Sequence, residues 1–207
     1  MTESRQDKDL ISKNFYAYEE VFPFLKVFQE KREELIAELQ NILQKGWIDW
    51  PEKGLYLEKD KWDVYPFFAF GGWFEKSADQ CPKTRKLIEA VPGMRTALYS
   101  RIGPGTTLVP HQGWGALSNE VLRCHFGLVV PEECGIWVEG EFQTQKTGEW
   151  LVFDDSKFHS GFNLSKGENR IILLIDVERP SWVAKGKSEV PFTPQLTNLV
   201  ASLRQIL

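Results

Sequence analysis

The sequence has 207 residues, a formal net charge of −4, 42% hydrophobic residues and 13% aromatics, a balance apolar enough for a packed core and too apolar for disorder. A negative balance without any basic run excludes a nucleic-acid binder, which needs a positive footprint. No apolar run reaches the ~18 residues of a membrane span, and MTESRQDKDL at the start has no apolar signal core.

At this length the chain reads as one domain over residues 1–207. It divides into N-terminal helices and aromatic-rich strands (1–95), a β core carrying the site (96–180) and a C-terminal helix (181–207). Cys81, Cys124 and Cys134 have no zinc spacing and read as reduced thiols, so the expected compartment is the cytoplasm.

The charged N-terminal stretch reads as loose. Pro23 then opens a helix with Leu25, Phe28, Leu35, Leu39 and Ile42 on one stripe, Glu30, Lys31, Glu34 and Glu38 elsewhere, and Gly46 as its stop. From Trp47 to Phe74 the chain is dense in aromatics, which suit either core or a lid over a substrate. Gly71-Gly72 marks a turn within it. A second helix is expected with Ser77 or Asp79 as cap, Pro82 in its first turn, Leu87, Ile88 and Val91 inward, and Pro92-Gly93 as its end.

Thereafter the runs TALYSRI, LRCHFGLVV, GIWVEG, EWLVF and RIILLIDV alternate with turn signals at Gly103-Pro104-Gly105, Lys146-Thr147-Gly148 and Lys166-Gly167. Many short strands at such spacing make the chain mainly β, a sandwich or barrel with flanking helices. Thr193-Pro194 opens a last helix, with Leu196, Leu199, Leu203 and Ile206 on one face.

Every histidine of the chain (His111, His125, His159) lies between His111 and Arg170. As a strand, LRCHFGLVV puts Arg123, His125 and Gly127 on one face and Leu122, Cys124, Phe126 and Leu128 on the other. RIILLIDV repeats the pattern, with Arg170 beside Ile172 and Leu174. Two arginines turned inward need compensation. A carboxylate ligand supplies it, because guanidinium pairs with carboxylate bidentately, and so would Glu139, Glu141 or Asp176. His111 and His159 are candidate metal ligands, since two neutral imidazoles suit Fe(II) with open positions. The familiar third ligand, a carboxylate two residues after the first histidine, is replaced by glycine in His111-Gln112-Gly113.

PGTTLVPHQG, LRCHFGLVVPEEC, GEWLVFDDSKFH and NRIILLIDVERP, in that order, resemble the aspartyl/asparaginyl β-hydroxylase family. The resemblance implies a double-stranded β-helix (a cupin-like jelly-roll barrel) and a dioxygenase using Fe(II), 2-oxoglutarate and O2 to hydroxylate an unactivated C–H. It implies iron on His111 and His159 with Gly113 in place of the carboxylate. It further implies 2-oxoglutarate on Arg170 with Ser100, Arg123 and His125, Asp155 orienting an imidazole, and Trp114 facing the open side of the metal. The implied substrate is an aspartyl or asparaginyl unit, at its β carbon, in a peptide, carrier-bound form or free amino acid. A lipid acyl chain, a binding module without turnover and a zinc hydrolase are the alternatives. Two departures lie on the substrate side: the insert WGALSNE, and Val121 where the animal enzymes are expected to carry an arginine.

Overall fold

The computed structural model describes residues 10–56, 62–198 and 201. The N-terminal charged stretch falls largely outside these residues, as do Leu199, Leu203 and Ile206 of the last helix.

After β1 (Phe15–Tyr16) and the single turn α1 (Tyr18–Val21), Pro23 starts a short 3-10 turn that runs into α2 (Lys26–Glu30). Lys31 leaves helical geometry (φ −103, ψ 12), and α3 (Arg32–Ile42) follows, so one expected helix is three segments. The apolar stripe survives the break: Leu25, Phe28, Leu35, Leu39 and Ile42 are all buried. Each such side chain contributes about 1.5–3 kcal/mol by leaving water, which outweighs the poor helix geometry at Lys31. Glu38 was expected off the stripe but is buried, accepting hydrogen bonds from the backbone N–H of Lys83 and of Thr84, both at 2.8 Å, and from the Thr84 hydroxyl.

Those amides belong to the first turn of α5 (Pro82–Glu89), which follows α4 (Glu75–Gln80). The expected cap is therefore corrected. Ser77 and Asp79 lie inside α4, the residue preceding α5 is Cys81, and its orphan N–H groups are satisfied from α3. Between the helices, β2 (Ile48–Asp49), β3 (Trp62–Ala69) and β4 (Gly72–Trp73) extend the sheet, with Phe70 and Gly71 both at positive φ in the β3–β4 turn.

The remaining strands are β5 (Met94–Ile102), β6 (Thr106–Thr107), β7 (Val121–Val129), β8 (Cys134–Val138), β9 (Glu141–Thr144), β10 (Trp150–Phe153), β11 (His159–Asn163) and β12 (Arg170–Glu178). The short α6 (Gly115–Ser118) precedes β7. Among the described residues they form two antiparallel sheets, an eight-stranded one ordered β1-β10-β7-β12-β5-β3-β2 with β4 on β3, and a four-stranded one ordered β6-β11-β8-β9. Chain-adjacent strands cross between the sheets from β5 to β6, β6 to β7, β7 to β8, β9 to β10, β10 to β11 and β11 to β12, which is a jelly roll. It is built as two facing sheets and not as a continuous closed ring.

The alternation expected along β7 decides the layers. Leu122, Cys124, Phe126 and Leu128 join Tyr65, Phe67, Tyr99, Leu173 and Ile175 on the outer face, under α2, α3 and α5. The register Arg123↔Asp176, His125↔Leu174 and Ile172↔Ser100 places Arg123, His125, Ser100, Arg170 and Asp176 on the inner face, toward the smaller sheet. Between the sheets Phe153, Leu151, Ile136 and Val138 pack with Phe15. Residues 194–198 are helical, opening after Thr193 as expected, with Leu196 buried, whereas 181–193, counted with the C-terminal helix from the sequence, hold no helix.

Candidate active site

His159 begins β11, and His111 bridges to it antiparallel: each backbone N–H donates to the other's carbonyl, at 2.9 and 2.8 Å. Residues directly opposed in such a pair project to the same face, and the imidazole centroids are 4.4 Å apart. Each Nδ1–H donates to a backbone carbonyl, His111 to Val109 at 2.7 Å and His159 to Lys157 at 2.9 Å. That fixes the tautomer and leaves both Nε2 lone pairs free for a metal. Burial pushes both imidazoles down to about 4, and His159 adds to the effect on His111. Both are neutral, the ligating form, at pH 7.

Gln112 and Gly113 continue the zipper: Gln112 Nε2 donates to the Ser156 carbonyl and Gly113 N–H to that of Asp155, both at 2.8 Å. A Cβ on Gly113 would lie 1.8 Å from Asp155 Oδ2 and 2.8 Å from Ser118 Cβ. The Asp155 carboxylate thus fills the room a side chain at 113 would occupy. Its Oδ1 lies 3.3 Å from His159 Nε2 and has no hydrogen-bond partner, although Arg123 Nη1 is within ion-pair distance, out of hydrogen-bond alignment. Burial raises the Asp155 carboxyl to about 6, Arg123 opposing and Asp176 adding to the rise. An imidazole lone pair and a carboxylate oxygen face each other with no proton between them; the Arg123 guanidinium answers the carboxylate, and the His159 Nε2 lone pair is left for a cation. The donor set therefore fits a metal ion on two imidazoles. Among the described residues no three His, Cys, Asp or Glu side chains are arranged to hold an ion by themselves.

The two inward arginines divide. Arg123 donates to both oxygens of Asp176 (Nε at 2.8 Å, Nη2 at 3.0 Å) and adjoins Asp155, so its charge is met within the protein, as one of the two sequence alternatives allowed. Arg170 is 1% exposed, and its partners are neutral: Nε donates to Gln145 Oε1 at 2.6 Å, and Nη2 lies 3.2 Å from His125 Nδ1. Glu139 instead pairs with Lys157, and Glu141 accepts from Asn14. Burial without an acid beside it pulls the Arg170 guanidinium down to about 10. His125 is pushed well below its ordinary value by burial and by Arg170, and its Nε2 is buried without a partner. The sites joined this way are Arg170 and His125, then Phe153 between His125 and His159 at ring separations of 5.0 and 5.3 Å. Ser100 is buried on the same face, its Oγ accepting from Trp62 Nε1 at 3.1 Å.

In front of His111 opens a cavity of about 630 Å³. Trp62, Trp50 and Trp114 stack along its wall, with centroids 4.7 and 5.8 Å apart, and Phe70 and Phe192 close on Trp114. Leu196 from the last helix also lines it, so the expected docking face serves the cavity too. Trp114 and Gly113 line it too. Gln145, Glu52 and Phe192 were not found by sequence reasoning. None stands in a periodic pattern, and only the pairing of β8 with β9 brings Gln145 under Arg170.

The jelly roll thus brings together two neutral imidazoles on one sheet and, on the facing sheet, a buried guanidinium with no carboxylate partner. The aspartyl/asparaginyl beta-hydroxylase profile matches residues 29–180, and the chain belongs to that family. It is 34% identical over 152 residues to human aspartyl/asparaginyl beta-hydroxylase, covering 67% of this chain and 20% of that one. It is 32% identical over 123 residues to the ornithine lipid ester-linked acyl 2-hydroxylase of Rhizobium tropici, covering 58% of this chain and 42% of that one. The chain thus spans less than half the length of these relatives. Among solved structures, a Trichoplax adhaerens prolyl hydroxylase in complex with a hypoxia inducible factor peptide fragment shares the fold at a TM-score of 0.52 and 8% identity, over 72% of this chain and 79% of that one.

Proposed function

We propose that the protein is an Fe(II)- and 2-oxoglutarate-dependent hydroxylase of an unactivated C–H bond. The observation that carries this is Arg170, a guanidinium buried with neutral partners only, on the inner face of the larger sheet and turned toward the smaller sheet that carries the imidazole pair. A buried charge left bare fits a ligand carboxylate. His111 and His159 would hold iron through Nε2. Arg170 would clamp the distal carboxylate of 2-oxoglutarate, with Ser100 beside it and His125 offering its unpartnered Nε2 edge. Iron bound with 2-oxoglutarate supplies the oxidising chemistry toward O2, the cosubstrate leaving as succinate and CO2.

The protein's own groups position and dry the site. The backbone pair His111–His159 fixes the imidazole spacing, and the Nδ1–carbonyl bonds hold the ligand tautomer. Arg123, tied to Asp176, steers Asp155 against His159 and so acts as a positioning residue, not as a free anion clamp. The aromatic cavity presents the target carbon. For that carbon the family name suggests an aspartyl or asparaginyl side chain, and the Rhizobium tropici relative's name an acyl chain. No helix among the described residues is long and apolar enough to cross a membrane, and three buried free thiols fit a reducing compartment such as the cytoplasm.

The test is anaerobic reconstitution with Fe(II) and 2-oxoglutarate, followed by oxygen and quantification of succinate. Slow succinate formation without substrate, abolished in His111→Ala and His159→Ala, is expected. Wild-type protein that retains Fe(II) and 2-oxoglutarate yet makes no succinate would refute the assignment in favour of a binding module. Zinc-dependent hydrolysis without oxygen would favour the hydrolase.

A further inference from the structure

Resting on the hydroxylase reading, we propose that the cavity before His111 accepts an uncharged apolar group of the substrate, alkyl or aryl, and turns away a side-chain carboxylate. Its indole donors are already engaged. The indole N–H groups of Trp50 and Trp114 both donate to the Glu52 carboxylate, at 3.1 and 3.2 Å, and that of Trp62 donates to Ser100. The near-parallel rings, inclined by 22° and 15°, therefore present π faces and edges. The negative potential of such faces repels an anion.

Its cations are engaged as well. Among the described residues lining the cavity these are Arg95, which donates to Glu178 at 3.0 Å, and Arg123, held by Asp176 and Asp155. Glu52 adds negative charge to the wall. Where this protein is built to take a carboxylate it leaves a guanidinium bare, as at Arg170, and nothing comparable lines this cavity. The rim is apolar too: Phe70, Phe158 and Phe192 keep 39%, 51% and 39% of their surface in solvent. Exposed aromatics contiguous with a cavity mark an entry path for an apolar group. Filling the cavity would cover them.

The experiment titrates Mn(II)- and 2-oxoglutarate-treated protein, without oxygen, with three uncharged-terminus probes: a straight-chain alkanoyl amide, a phenylalkanoyl amide and an end-blocked aspartyl tripeptide. Intrinsic tryptophan fluorescence reports binding at the wall, and calorimetry confirms it. At least one apolar probe is expected to bind at least about tenfold tighter than the aspartyl peptide. Phe192→Asp should erase that preference by about tenfold or more and Phe192→Leu should retain it, both with unchanged 2-oxoglutarate affinity. A preference for the alkyl or the aryl probe then names the group. An aspartyl peptide that binds as tightly as both apolar probes, or apolar probes that bind no tighter in wild type than in Phe192→Asp, overturns the proposal. Wild-type protein that binds an apolar probe but not 2-oxoglutarate overturns the hydroxylase reading and leaves the cavity's preference standing.

Discussion

Replacing Arg170 by methionine separates a residue kept for a ligand from one kept for the fold. The depression of its guanidinium to about 10 is equivalent to about 3 kcal/mol of uncompensated burial in the ligand-free protein. Methionine fills similar volume without charge, and the change leaves only Gln145 Oε1 short of its donor, a loss of about 1–3 kcal/mol. The two effects nearly cancel, so the melting temperature of ligand-free Arg170→Met should stay within a few degrees of wild type. Binding should behave otherwise. Truncating one partner of a buried charge pair costs about 2–5 kcal/mol, which is about 30- to 5,000-fold in affinity. Calorimetric titration of 2-oxoglutarate into the Mn(II)-loaded, oxygen-free proteins measures this directly. An unchanged dissociation constant would refute the clamp, and a large drop in stability with intact binding would make Arg170 a structural residue.

Other perturbations reach the metal ligands and the frame around them. Because burial depresses His111 and His159 to about 4, proton competition for the metal should be slight at pH 5.5, where two ordinary histidines would lose about 100-fold. Their contribution to stability is full above the unfolded value of about 6.5 and is lost as pH falls toward 4. Mn(II) affinity should therefore fall less than about threefold between pH 7.5 and 5.5 in Asp155→Asn, the variant that removes the carboxyl titrating near 6. A hundredfold fall would show exposed, ordinary imidazoles. Gly113→Ala puts a methyl where Asp155 Oδ2 sits, and thermal unfolding should register about 1–3 kcal/mol of overpacking with weakened metal binding; an unperturbed variant would mean that Asp155 moves freely. Glu38→Ala strips the acceptor from two amides of α5 and the Thr84 hydroxyl, and should cost about 1–3 kcal/mol in denaturant unfolding with no change in 2-oxoglutarate affinity.

What sequence reasoning could read was set by how local the cause was. β5, β7, β8, β10 and β12 were visible because each carries a β-rich apolar run, and the inward face of β7 followed from period two alone. β9 was invisible, since all four of its residues are exposed and only pairing with β8 makes them a strand. β11 reads HSGFN, with no alternation to betray it. The cap of α5 could not be found locally, because Glu38 arrives from another helix. In the site, scarcity of histidine and strand-face logic led to His111, His159 and Arg170. Yet whether a ligand or Asp176 neutralised each arginine depended on the register of β7 against β12, which a single sequence does not disclose.

The carboxylate wedged against Gly113 makes the missing third ligand a two-site affair. Writing Gly113→Asp alone would drive one acid into another, so that single change would not place a third carboxylate ligand beside the imidazoles. Only a paired exchange, Gly113→Asp together with Asp155→Gly, vacates the room it fills. The space beside the two imidazoles is thereby reserved to the carboxylate of Asp155 by sterics.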